Sequence, residues 1–134
     1  MTIHPQTLSL FSETFATCRL EKGSPLPPWV QTEPFCSITN TPDELSIVCL
    51  AGLVPADIQA DRDWRCFKLH GPFEFSLVGI LNSITIPLAQ ANIGIFAIST
   101  YDTDYVLVKA GDLTKAAEVL GRSCKITEWG GKIS

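Results

Sequence analysis

Basic residues are scarce in this chain and nowhere gather. Ten Lys and Arg stand against fourteen Asp and Glu in 134 residues, a net charge of −4. Phosphate-driven nucleic-acid binding needs a basic patch, and none is present. Long apolar runs are missing too. The longest fall far short of the roughly 18 residues that cross a bilayer, and "MTIHPQTLSLFSETF" lacks the basic start and continuous apolar core of a secretory signal. The five cysteines, Cys18, Cys36, Cys49, Cys66 and Cys124, include no CxxC pair. Zinc and dithiol chemistry therefore have no support in their spacing, and they read as small buried hydrophobes in a reducing compartment. The expectation is a soluble cytoplasmic protein that binds neither nucleic acid nor membrane.

What is present is enough apolar material for a core. Hydrophobic residues make up 46% and charged residues 18%, which excludes a disordered chain. The length allows one ordinary domain or two very small ones. A shift of sixty residues lays "SITNTPDELSIVCLAGL" (37–53) on "AISTYDTDYVLVKAGDL" (97–113) without a gap, so that Glu44 meets Asp104 and Leu53 meets Leu113. The polar, acidic and apolar order is kept, which points to an internal repeat.

The second half reads as βαββαβ. "RCFKLHGPFEF" alternates as a strand. "SLVGILNSITIPLAQANIG" carries Ile80, Ile84, Leu88 and Ala91 on one helical face, closed by Asn92 and Gly94. Pro87 conflicts with that helix, because it removes a hydrogen bond. "IFAIST" and "YVLVK" are strands around a polar tip. "GDLTKAAEVLG" is a helix with Asp112 as N-cap and Gly121 past its end, and "CKITEW" is a last strand. The first half reads as a strand "TLSLFSETFATCRL", strands "FCSIT" and "LSIVCLA", and a short helix near "VPADIQA". Where the second half has its first helix, the first has "EKGSPLPPWVQTEP", whose four prolines and glycine cannot make three helical turns. The expected fold is α+β: two ferredoxin-like units side by side, 1–62 and 63–134, the first degenerate.

"GPFEFSLVGILNSITIPLAQANIGIFAISTYDTDYVLVKAGDLTKAAEVL" (71–120) resembles the ACT-domain family, in particular its tandem members, which include the cytosolic arginine sensor of animals and small bacterial relatives. G-I-L at a helix start, a proline within the helix and I-S-T-Y-x-T-D-Y-x-L-V carry the likeness. The first half resembles the family only through "SITNTPDELSIVC". The resemblance implies a free amino acid as ligand, with Val78, Gly79, Ile80, Thr100, Tyr101 and Asp104 lining its pocket.

The residues themselves offer a matching chemistry. An amino acid presents a carboxylate beside an ammonium. The backbone N–H groups of Gly79, Ile80 and Leu81 at a helix start favour an anion, and Gly79 lets a ligand approach the backbone. The "STYDTDY" tip offers Asp104 as a carboxylate, with Thr100 and Tyr101 as hydrogen-bonding edges. In a βαββαβ unit this tip is expected to lie off the edge of its own first helix, so the pocket is placed between the two units. Plainer roles stand beside each: a packing glycine, turn aspartates, a rim tyrosine. Thr39, Asn40, Thr41 and Glu44 in the first half read as relics.

A Cys66–His70 dyad is the tempting catalytic pair. Four residues along a strand span roughly 13 Å, beyond hydrogen-bond reach, and no nucleophile elbow or phosphate loop is present. The expectation is a non-catalytic amino-acid sensor without cofactor or metal, acting through a homodimer or a regulated protein partner. The alternative is an assembly module of the same fold that binds no ligand.

Overall fold

The computed structural model describes residues 6–70 and 79–129. Among them the elements run β1 (Gln6–Phe11), β2 (Phe15–Glu21), β3 (Ser37–Asn40), β4 (Glu44–Leu50), β5 (Ala60–Leu69), α1 (Ile80–Gln90), β6 (Ile95–Ser99), β7 (Asp104–Lys109), α2 (Leu113–Gly121) and β8 (Cys124–Trp129). The chain divides into two compact units, Glu13–Trp64 and a second made of Met1–Ser12 with Arg65–Ser134.

In the unit Glu13–Trp64, β2 and β3 flank β4, both antiparallel to it. β2 also pairs with the first residues of β5, Thr17 opposite Asp61 and Cys18 opposite Ala60. Alternation along β4 turns Leu45, Ile47 and Cys49 inward, where they meet Ala16 and Cys18 of β2 and Val54. Residues 22–36 hold turns and no helix, and Trp29, Val30 and Cys36 pack against this core. The helix expected near "VPADIQA" does not form. A single 3₁₀ turn covers Ala51–Leu53, and Arg62 then donates to the carbonyls of Val54, Pro55 and Ile58 at 2.9, 2.8 and 2.9 Å. The guanidinium fork satisfies backbone acceptors that a helix ladder would otherwise have held.

The second unit contains β5-α1-β6-β7-α2-β8 in the expected βαββαβ order. β7 pairs with both β5 and β6. Ile84 and Leu88 of α1 and Ala116 and Leu120 of α2 close on Phe67, Leu69, Val106 and Val108 from the strands. That is the apolar stripe read from the sequence, with Ile80, Leu113 and Ala91 at its margins. Asn92 ends α1 with a left-handed φ of 59°.

Three local readings are corrected. Residues 7–20, expected as one strand, are two, because Ser12, Glu13 and Thr14 break the ladder. The first piece, β1, lies between β5, to which it is antiparallel, and β8, to which it is parallel. β5 begins at Ala60, so "DRDW" is strand rather than connection, and it ends at Leu69; His70 follows it, and residues 71–75 of "RCFKLHGPFEF" lie outside the described residues. Asp112 occupies the N-cap position of α2 but its side chain makes no capping bond, and Gly121 is the last helical residue rather than the one beyond. A 3₁₀ turn over Ala110–Asp112 leads straight into the helix and holds Asp112 in a helical conformation, which turns its carboxylate away from the capping role.

Candidate functional site

The expected site residues fall into two groups within the second unit, while Val78 lies outside the described residues. Gly79, Ile80 and Leu81 are consecutive at the start of α1. Gly79 is the N-cap, and among the described residues no side chain caps it. Its φ of 82° is left-handed, a region open to glycine and strained for residues with a Cβ. Its carbonyl accepts the first helical bond, from Ser83 N–H at 2.9 Å. The side chains of Ile80 and Leu81 pack against the core, so these two residues can offer a ligand only their backbone N–H groups. That is the donor set an incoming carboxylate needs.

The second group is the β6–β7 tip. Thr100 closes it twice on the carbonyl of Thr103, through its N–H at 2.8 Å and its hydroxyl at 3.1 Å. Asp104 begins β7 opposite Ser99, whose hydroxyl donates to Asp104 Oδ1. One carboxylate oxygen is thereby engaged and the orientation of the group fixed. Tyr101 is 82% exposed, the rim position. Tyr105, behind the tip, packs on Phe11 with ring centroids 6.4 Å apart. Burial pushes its phenol up, with Cys66 and Asp102 adding to the effect.

A residue not singled out from the sequence holds this tip in place. Thr103 is 7% exposed, and its hydroxyl donates to the carbonyl of Leu69 at 2.6 Å. Leu69 ends β5, from which the chain passes through 71–78 into α1. The tip therefore meets the end of the strand from which the chain goes on, through 71–78, to its own helix. The reason is that β7 pairs directly with β5. No local signal in "TYDTDY" marks this threonine, because its partner lies 34 residues away.

His70 follows Leu69. Its N–H donates to Thr7 O at 2.9 Å and its Nε2 contacts Ser9 Oγ, which also lies 3.2 Å from Thr127 Oγ1. Ser9 is 2% exposed, so this hydroxyl serves strand packing rather than attack. Cys66 is fully buried and burial pushes its thiol up, which keeps it protonated and unreactive. Among the described residues no group of His, Cys, Asp and Glu is arranged to hold a metal ion, and no helix is long and apolar enough to cross a membrane.

A family model described as an ACT domain matches residues 59–122. Residues 59–122 are an ACT domain. A separate model, described as an N-terminal domain, matches residues 13–57. The cytosolic arginine sensor for mTORC1 subunit 1 of Bos taurus is 27% identical over 103 residues, 69% of this chain and 31% of the sensor. The chain thus spans about a third of the length of that relative. Protein Atu0741 from Agobacterium tumefaciens superposes with a TM-score of 0.89 at 37% identity, covering 98% of this chain and 99% of that one. Aspartate kinase from Clostridium acetobutylicum, at 16% identity, shares the fold with a TM-score of 0.63 over 87% of this chain and 34% of its own.

Proposed function

We propose that this ACT-domain protein is a non-catalytic cytoplasmic regulator that binds a free amino acid at the start of α1, residues 78–81, and the β6–β7 tip, residues 99–105. The ligand's carboxylate is received by the N–H groups of Gly79, Ile80 and Leu81, and its ammonium by Asp104, with Thr100 and Tyr101 at the edges. The reading includes a tandem design, 1–62 and 63–134, in which the first ACT unit is degenerate and "EKGSPLPPWVQTEP" stands in for its first helix. A homodimer or a regulated protein partner senses the bound state, which ligand binding can shift only by its differential affinity for two arrangements.

The observation that carries the reading is the Thr103–Leu69 hydrogen bond. It anchors an acidic hairpin tip on the strand end that precedes a glycine-started helix that no described side chain caps. The likeness to a sensor named for arginine supports an amino acid as the ligand class. Thermal unfolding of the purified protein against each of the twenty amino acids at millimolar concentration tests it. A ligand at about 100 times its Kd adds roughly 2.7 kcal/mol, a midpoint rise of several degrees at this size. Asp104→Ala is expected to abolish that rise while the unliganded midpoint is unchanged. If the rise survives the substitution, Asp104 is not the ammonium partner. Twenty flat curves favour the second reading, an assembly module of the same fold that binds no ligand; the row of unpaired strand edges typical of open sheets suits sheet-to-sheet pairing.

A further inference from the structure

Three of the five cysteines converge in the core of the unit Glu13–Trp64, two on neighbouring strands and one just before a third. Cys18 lies on β2 and Cys49 on β4, and Cys36 immediately precedes β3 and packs against the same core. The register decides which two can join. β3 and β4 pair Ser37 with Val48, Ile38 with Ile47, Thr39 with Ser46 and Asn40 with Leu45, so the next position outward sets Cys36 opposite Cys49. The second hairpin has the same geometry one repeat on, and there the corresponding residues, Ile95 and Val108, are paired in register.

The type of pair follows from the turn. Thr41 N–H donates to Glu44 O at 3.0 Å, which makes that pair a hydrogen-bonded one. Pairs alternate along an antiparallel ladder, so Thr39 with Ser46 and Ser37 with Val48 are of the same type, and Cys36 with Cys49 is non-hydrogen-bonded. Such pairs bring Cα atoms to about 4.5 Å and side chains closest together. Disulfides need a Cα separation of roughly 4.4–6.8 Å. Cys18 is opposite Ile47 and Cys49 opposite Ala16, so Cys18 and Cys49 are diagonal neighbours at about 7–8 Å, too far for an unstrained bridge.

We propose that Cys36 and Cys49 are a redox-convertible pair, closed to a disulfide by exchange with a low-molecular-weight disulfide of the glutathione type. The Cys36 thiolate, on the half-buried side of the pair, attacks one sulfur of the external disulfide. That S–S bond breaks, one small thiolate leaves, and a mixed disulfide forms on Cys36. Cys49, after loss of its proton to solvent, attacks the Cys36 sulfur and expels the second small thiolate. Two protein thiols are oxidised and one external disulfide is reduced to two thiols. Burial holds the Cys36 thiol above its ordinary value. The bond Cys49 gives to Cys18 raises the Cys49 thiol, as do burial and the neighbouring Cys36. Exchange is therefore slow, on the minutes-to-hours scale of uncatalysed rearrangement. Closure staples the start of the β3 edge to the central strand and restricts the unfolded chain. It requires nothing of the amino-acid site in the other unit.

The experiment incubates the folded chain with glutathione disulfide overnight, blocks remaining thiols by alkylation and maps the peptides by mass spectrometry. The expected result is a Cys36–Cys49 cross-link, loss of two of the five thiols, a raised thermal midpoint and reversal by dithiothreitol. Cys36→Ser is expected to abolish the cross-link, and Cys18→Ser to retain it, each with the reduced protein's midpoint confirming a folded variant. A Cys18–Cys49 link, a link between chains, a mixed disulfide that persists on Cys36, or five thiols still free overturns the proposal.

Discussion

Gly79 is fixed by its backbone and not by crowding. Among the described residues no atom beyond its chain neighbours and its own helix backbone lies within 4 Å of where a Cβ would sit, yet φ is +82°. Gly79→Ala meets no clash and is expected to cost about 1 kcal/mol, the strain of a left-handed L-residue, read as a lower urea midpoint at an unchanged slope. A loss of several kcal/mol would mean that the helix start is packed by something else. Thr103 is the opposite case, a side chain held by one partner. Thr103→Val keeps the shape but leaves the Leu69 carbonyl without its donor, at an expected cost of about 1–3 kcal/mol. Thr103→Ser restores the hydroxyl and is expected to recover most of the loss in the same denaturation assay. Asp104 was legible in the sequence as a candidate, a carboxylate in a polar tip. Thr103 was not, because its role depends on a carbonyl 34 residues away.

Among the elements, α1 contains a local conflict that tertiary packing overrides. Pro87 lies within the helix, so the Ser83 carbonyl lacks its usual N–H partner. The helix survives because Ile84 and Leu88 are fully buried on either side. Pro87→Ala restores the missing donor and is expected to stabilise the protein by about 1–3 kcal/mol, seen as a higher thermal midpoint; an unchanged or lower midpoint would show that α1 is shaped to need the proline. The helices and hairpins were readable because 3.6-residue spacing and polar tips are local signals. The pairing of β1 with β5 and β8 was not, since strand partners far apart in sequence leave no local mark. The sixty-residue shift sets the two hairpins one residue out of step. Thr41 closes on Glu44 as Thr100 closes on Thr103, an offset of 59 and not 60. A slip of one residue exchanges the two faces of a strand. When the turns are matched at 59, Leu45, buried in the core, falls on Asp104, so the first hairpin places no acidic group where the second has one.

Across the molecule, the described titratable groups that burial shifts are acids kept neutral. The Cys66 thiol is pushed up from an ordinary value of 9.0 by burial, and Tyr105 from 10.0 by burial, with Cys66 and Asp102 adding to it. Between the unfolded and folded values of such a group, the unfolded chain has already released the proton that the native chain still holds. Stability therefore falls as pH rises through that window. The sign is opposite to that of a salt-bridged carboxylate, whose contribution is lost in acid. Urea unfolding followed from pH 7 to 10.5, with a phosphine reductant to keep all five thiols reduced, is expected to show a plateau up to about pH 8.5 and a steady decline above it. Cys66→Val keeps the apolar volume and removes the ionisable group, so its decline is expected to be shallower. If the variant and the parent lose stability in parallel, the alkaline loss comes from elsewhere, and Tyr105→Phe is then the substitution that distinguishes the phenol from the general increase of negative charge on a chain already at −4.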